Sequence, residues 1–304
     1  MTEKTEGWDV YAQLLLLSVA WGGAFLFTKV AVETIPPFLL VAGRGLSAAA
    51  VLGGALAATS RRRQVPVKLG WGPAVVLGTL SGWLPNVLTA WSLTRIDSSL
   101  AAIIGAATPI LTVVLAHYLL THESLTRQQA FGAVVGFVGV GLIIGVDSSS
   151  VGGQDALGQL AMVAVALSYA LGTVYGRKLS PSEPARLALR QQFVSGVAAL
   201  AIALVIESPW NVRPSSASII SLLALAVFSG ALPYWIFMRL LSRARAGVLA
   251  SVGYLIPVVA VVIGFIVLGE RIGGPAFGGM ALVLVGIFMS SRTAPPPQLV
   301  PAGE

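Results

Sequence analysis

Long, uninterrupted apolar runs constrain this chain more than any other feature; Leu14–Ala20 and Val258–Leu268 are two of them. A bilayer-spanning helix needs roughly 20 mostly apolar residues. Ten stretches qualify: 11–30, 37–58, 70–92, 98–119, 128–146, 157–177, 186–206, 217–239, 246–268 and 273–291. Hydrophobic residues make up 56% of the chain and charged ones only 10%, against roughly 25% charged in a soluble domain. So few charges cannot furnish a water-facing surface, and a lipid solvent is required. Outer-membrane strands alternate with a period of two, which these runs do not. Helices satisfy their backbone hydrogen bonds internally in lipid. The predicted fold class is an all-α integral membrane protein with ten transmembrane helices.

The formal net charge is +7. No basic patch with interleaved aromatics suits nucleic acid; the positive residues sit in short loops, where they orient the chain in the bilayer. With the N-terminus inside, one side collects Lys4, Arg61, Arg62, Arg63, Lys68, Arg127, Arg177, Lys178, Arg186, Arg190, Arg239, Arg243, Arg245 and Arg292. The other side receives Lys29, Arg95, Arg213 and Arg271. This bias of fourteen against four places both termini in the cytoplasm, although the N-terminal tail itself is acidic. That acidic start and the lack of a small-residue cleavage site argue against a signal peptide. The chain has no Cys, which excludes disulfides and thiolate metal sites.

The two halves resemble each other. A shift of 148 residues pairs Pro36 with Pro184, Pro66 with Pro214, Pro85 with Pro233 and Pro109 with Pro257. It also pairs Gly105 with Gly253, Trp21 with Tyr169 and Lys29 with Arg177. After a one-residue slip, Glu123 meets Glu270, Gly132 meets Gly279 and Gly139 meets Gly286. The expected organisation is a five-helix unit at 11–146, a second copy at 157–291, and a disordered tail at 292–304. Five is odd, so the second copy enters the membrane upside down. Inverted repeats of this kind recur in transporters, with substrate held near the midplane where the halves meet.

Trp21-Gly22, Phe25, Lys29, Arg44 and the stretch Pro109 to Gly139 form an ordered pattern, echoed by Pro257, Leu268-Gly269-Glu270, Gly279 and Gly286. This pattern resembles the drug/metabolite transporter superfamily in its ten-helix EamA form. The likeness runs over about residues 11–291 and, in length and motif placement, extends to aromatic amino-acid exporters of the YddG type. It implies a transporter of a bacterial cytoplasmic (inner) membrane. The chain departs from the pattern at His122, where a Gly normally precedes the Glu, and at Tyr169, which replaces a Trp.

Trp21, Phe25 and Lys29 fall on one face of the first helix, and Tyr169, Thr173 and Arg177 repeat that face on the sixth. Two readings fit the aromatics: the wall of a solute cavity, or packing against helices and lipid. Lys29 and Arg177, at opposite surfaces, read as snorkelling anchors. Asn86 and Tyr234 stand next to mid-span prolines, and an Asn at this depth must face protein or a cavity. Gly105 with Pro109, and Gly253 with Pro257, read either as hinges or as static kinks. Arg44 is a strong charge inside a span and should find protein partners; backbone carbonyls, Glu33 or a substrate carboxylate would serve.

No Asp or Glu falls in the middle of a span, and His117 is the only titratable candidate for ion coupling. Facilitative or weakly coupled transport is therefore expected, with neither metal nor other cofactor. No set of residues suits an enzyme's chemistry. Ten helices enclose a pathway within one chain, so a monomer suffices. The expected partners are lipids and a small amphipathic substrate, with amino acids the first choice and drugs or other metabolites the second.

Overall fold

The computed structural model describes residues 8–59, 70–120, 125–147, 154–179, 184–227, 233, 236, 240, 252–271 and 273–291. Within them the chain is helical, and its ten helices follow the apolar runs. They are α1 (Trp8–Ala31), α2 (Pro37–Thr59), α3 (71–93, in three pieces), α4 (Ser98–Gly105 and Thr108–Leu119) and α5 (Arg127–Asp147). The second half has α6 (Gln154–Leu179), α7 (Pro184–Ile206), α8 (beginning Ser216–Ala226), α9 (Val252–Ile263, continuing through Gly264–Leu268) and α10 (Gly274–Ser291). Most ends lie within a few residues of the sequence expectation. The tail 292–304, Glu123 and Tyr234 lie outside the described residues.

Among the described residues, five spans are long and apolar enough to cross a bilayer by length and composition alone, including α1, α2 and Ser98–Leu119. The outer faces of the bundle carry residues that would be misplaced in water: Leu15, Phe131, Phe137, Leu204, Ile206 and Phe265 are all exposed. In lipid this is the ordinary arrangement.

Helix contacts obey one symmetry. α1 packs on α9 as α6 packs on α4; α1 meets α8 as α6 meets α3; α3 meets α7 as α8 meets α2. The pairs α2–α7, α4–α9 and α5–α10 are their own counterparts. Exchanging the two halves therefore maps these nine helix pairs onto one another or onto themselves.

Glycines in α5 and α10 give the sense of the relation. A Cβ on Gly132 would fall 2.8 Å from the Gly286 carbonyl oxygen, and one on Gly139 would fall 2.7 Å from that of Gly279. Only glycine allows backbones this close, the use small residues have between membrane helices. The repeat equates Gly132 with Gly279 and Gly139 with Gly286. The repeat thus carries the contact Gly132–Gly286 onto the contact Gly279–Gly139, the reciprocity of a two-fold axis. The helices run antiparallel across that axis, so the halves are inverted. On α2 and α7, Gly45 meets Gly196 as closely, with 2.8 Å between a Cβ on the first and the amide nitrogen of the second.

The largest buried cluster joins α4, α5, α6 and α10 through residues such as Ile103, Ile110, Ile143, Met162 and Ile287. Phe25, Tyr169 and Tyr254 pack against its edge.

Candidate functional site

The site is built on a broken helix. Pro85 of α3 has no N–H, which leaves an α-helical carbonyl one turn earlier without its donor. The chain responds with a wide turn over Thr79–Trp83, in which Gly82 leaves helical geometry at φ −118° and ψ −109°. Backbone groups freed at membrane depth must find partners. Here three successive carbonyls accept from side chains. Ser168 Oγ donates to Leu80 O at 2.8 Å, Gln191 Nε2 to Ser81 O at 3.5 Å, and Asn86 Nδ2 to Gly82 O at 2.6 Å.

With its amide nitrogen engaged, Asn86 presents Oδ1 to the neighbouring helices. Arg44 Nη1 of α2 donates to it at 2.7 Å, and Tyr169 OH of α6 at 3.1 Å. Two donors from opposite halves thus converge on one amide oxygen. Arg44, Asn86 and Tyr169 all keep part of their surface accessible. The sequence offered Glu33, backbone carbonyls or a substrate as partners for Arg44; Asn86 is a partner it did not offer.

Of the other sequence candidates, Phe25 joins Tyr169 at the edge of the main cluster and comes within 3.8 Å of the space a Cβ on Gly105 would occupy. Trp21 packs one turn away on a separate cluster formed by Val10, Leu14, Leu17, Ile236, Leu240 and Val252. Thr173 is exposed, and its hydroxyl donates to the Tyr169 carbonyl of its own helix at 2.8 Å. Helix α4 is interrupted at Ala106 and Ala107, between Gly105 and Pro109. Helix α9 carries Pro257 within an unbroken stretch. The Pro109 ring lies 3.9 Å from the position of a Cβ on Gly253, so the two kink motifs face each other.

Lys29 corrects an expectation. It is no snorkelling anchor: its Nζ donates to the Ile96 carbonyl at 2.7 Å, just past the end of α3. The carbonyls that trail a helix C-terminus carry partial negative charge and attract a cation. His117 is exposed near the end of α4, with its Nδ1 accepting from Leu125 N at 3.1 Å.

Two carboxylates have a role that the sequence did not assign. Glu207, just after α7, accepts from Phe38 N at 2.9 Å and Leu39 N at 2.7 Å, at the start of α2. Glu270, just after α9, is buried and takes four donors at the start of α4: the backbone and hydroxyl of both Ser98 and Ser99. Acidic groups are favoured at a helix N-terminus by the dipole and the unpaired N–H groups. Burial alone would raise the Glu270 pKa, but the donations from Ser99 and Ser98 outweigh it and hold the carboxyl below its ordinary value. Gly269 turns left-handed at φ 67° to deliver Glu270. Gly264 leaves room for it, since a Cβ there would collide with Glu270 Oε2 and Ser99 Oγ. Both carboxylates come from the second half and hold helices of the first, at the end of the bundle away from the termini.

The profile of the EamA-like transporter family matches residues 9–145 and again 156–292. The chain belongs to the EamA-like transporter family. Members of this family are transporters, so the protein is a multi-pass membrane transporter and not an enzyme. Relatives extend along nearly the whole chain. The uncharacterized transporter YvbV of Bacillus subtilis is 28% identical over 90% of this chain and 88% of its own. A probable amino-acid metabolite efflux pump of Salmonella typhimurium is 27% identical over 91% of this chain and 92% of its own. The inner membrane transporter YedA of Escherichia coli is 22% identical over 92% and 88%. A solved crystal structure at 19% identity superposes with a TM-score of 0.66 over 93% of this chain and 96% of that one, a likeness of fold alone. In this EamA-like transporter the broken α3 and the interrupted α4 both flank α6, on the two-fold partner of the α1 surface that meets α8 and α9.

Proposed function

We propose that this transporter exports small amphipathic metabolites, foremost amino acids with aromatic or apolar side chains, by alternating access and without strong ion coupling. The observation that carries the reading is the convergence of Arg44 and Tyr169 on Asn86, deep between the two halves, with Phe25 packed on the same cluster as Tyr169. Polar side chains that stay partly accessible at such depth belong to a hollow rather than to lipid, because unsatisfied polar atoms in hydrocarbon cost several kcal/mol. Discontinuous helices beside a midplane site are the recurring design of inverted-repeat carriers. The substrate class is supported further by a relative described as a probable amino-acid metabolite efflux pump.

In this reading Trp21, Phe25, Asn86, Tyr169, Thr173 and Tyr234 contact the solute, and Gly105, Pro109, Gly253 and Pro257 provide the bending points. The two five-helix units, 11–146 and 157–291, pack through each other and exchange roles in the cycle. The chain works as a monomer in a bacterial cytoplasmic membrane, with both termini inside, as the loop charges indicate. Efflux of drugs or other metabolites is the second reading, favoured by relatives such as YvbV and YedA that are named only as transporters.

The test is counterflow in liposomes of purified protein against a broad panel of labelled amino acids. Saturable exchange of apolar or aromatic members is expected, and Trp21→Ala and Tyr169→Ala should each lower it about tenfold at unchanged expression. No exchange of any amino acid would sink the substrate class; undiminished exchange in both variants would sink the site.

A further inference from the structure

We infer that Arg44 and Tyr169 form a carboxylate-binding subsite, occupied in the resting protein by the Asn86 side-chain oxygen and taken over by the acid group of the substrate. The inference deepens the reading above and rests on it for the location of the pathway. It starts from geometry. A guanidinium nitrogen from one half and a phenol from the other point at one oxygen, at 2.7 and 3.1 Å. This is how a protein arranges donors around a carboxylate oxygen, and an arginine fork is well matched to such a group. Here the acceptor is a neutral amide.

Charge argues the same way. Arg44 stands seven residues inside α2, counting from Pro37. A cation within a span is costly and is retained where it serves a function. Holding a broken helix together requires a donor, which Ser168 and Gln191 provide without charge. The twelve acidic residues of the sequence all lie near span ends or in loops. An arriving carboxylate would supply a charged acceptor, and a charge-assisted bond is roughly twice as strong as a neutral one.

Exchange of acceptors also has a mechanical consequence. Asn86 is tied through Nδ2 to Gly82, the residue at which α3 breaks. A substrate acid that displaces Oδ1 removes one tie of α3 to α2 and one to α6 at once, while Ser168 keeps its bond to Leu80 O. Substrate arrival and a change at the broken helix become one event.

The experiment compares matched ligands on purified protein by thermal stabilisation, alongside counterflow. The set is L-phenylalanine, 3-phenylpropionate (acid kept, amine lost), phenylalaninamide and phenethylamine (acid lost), followed by the same acid, amide and amine series built on leucine. Acids should stabilise the wild type, and amides and amines should bind on the order of 10–100-fold more weakly. Arg44→Gln should abolish the difference between acid and amide. Arg44→Lys should restore part of it, and Tyr169→Phe should weaken acids by roughly 3–10-fold. If Arg44→Gln proves too unstable to purify, the acid–amide difference in the wild type and its loss in Tyr169→Phe decide the matter. Equal stabilisation by acids and amines, no stabilisation by any acid in either series, or undiminished acid preference in the variants would overturn the inference. Acid-selective stabilisation without amino-acid counterflow would instead leave the subsite standing and remove the proposed transport of amino acids.

Discussion

Helices α4 and α9 carry the same Gly-x-x-x-Pro pattern at equivalent places in the two repeats, yet they fold differently. In α4 the helix stops at Gly105, turns through Ala106 and Ala107 and resumes at Thr108. In α9 the helix runs through Gly253 and Pro257 to Ile263 and loosens only at Gly264–Leu268. The residue before each proline differs. Thr108 Oγ1 donates to the Gly105 carbonyl at 2.7 Å, replacing the donor that Pro109 lacks. Ile256 has no hydroxyl to do the same for Gly253. One template therefore has two accessible shapes, chosen by local chemistry and surroundings. In an inverted-repeat carrier that is the property needed: exchanging the two shapes between the halves would reverse the side to which the pathway opens.

The largest expected effect tests what holds the two helices in their present relation. Glu270 follows α9 and caps α4, so it clasps one to the other. Glu270→Ala should destabilise the protein by about 2–4 kcal/mol, because two N–H groups and two hydroxyls lose a charged acceptor. Thermal unfolding in detergent measures it. Acid should act in the same direction. Since the folded pKa is depressed, the clasp contributes fully above the usual carboxylate value of 4.5 and fades as pH falls through the lower, folded value. The stability difference between wild type and Glu270→Gln should therefore shrink on acidification below that point. A difference independent of pH would show that the carboxylate charge is irrelevant to the clasp.

A smaller effect, on rate rather than stability, separates moving kinks from static ones. If α4 and α9 exchange shapes, each proline is needed during part of the cycle. Pro109→Ala and Pro257→Ala should then both slow counterflow, by about tenfold each. Slowing by Pro109→Ala alone would mean that the difference between the helices is permanent and that only α4 bends.

The spans were legible because lipid leaves the sequence little choice: a helix that must be apolar for some twenty residues announces itself. The inverted repeat was legible through Pro and Gly, whose backbone effects recur wherever the backbone recurs; Gly132, Gly139, Gly279 and Gly286 prove to be contact points in a reciprocal set. Asn86 and Tyr169 were both candidates, but nothing in the sequence joins them to Arg44, since residues on three helices meet only through tertiary packing. Glu270 stood in the repeat motif without a role. Its four donors lie at Ser98 and Ser99, and an N-cap supplied from a distant loop leaves no local signature. Lys29 was misjudged for the same reason: the accepting carbonyl of Ile96 belongs to another helix.

The smallest effect on stability is the most discriminating. Gly253→Ala would add a Cβ whose nearest neighbour is the Pro109 ring at 3.9 Å, an ordinary contact. Alanine also favours a helix over glycine by up to about 1 kcal/mol. In the present shape of α9 the substitution should therefore be neutral or slightly stabilising. The same preference would penalise a shape in which α9 breaks as α4 does now, because glycine is the residue that tolerates irregular backbone. A variant with an unchanged or raised unfolding temperature and slowed exchange would place the bend of α9 at Gly253. A variant with unchanged exchange would confine that helix's flexibility to Gly264–Leu268, next to the Glu270 clasp, and would break the equivalence of the two kinks.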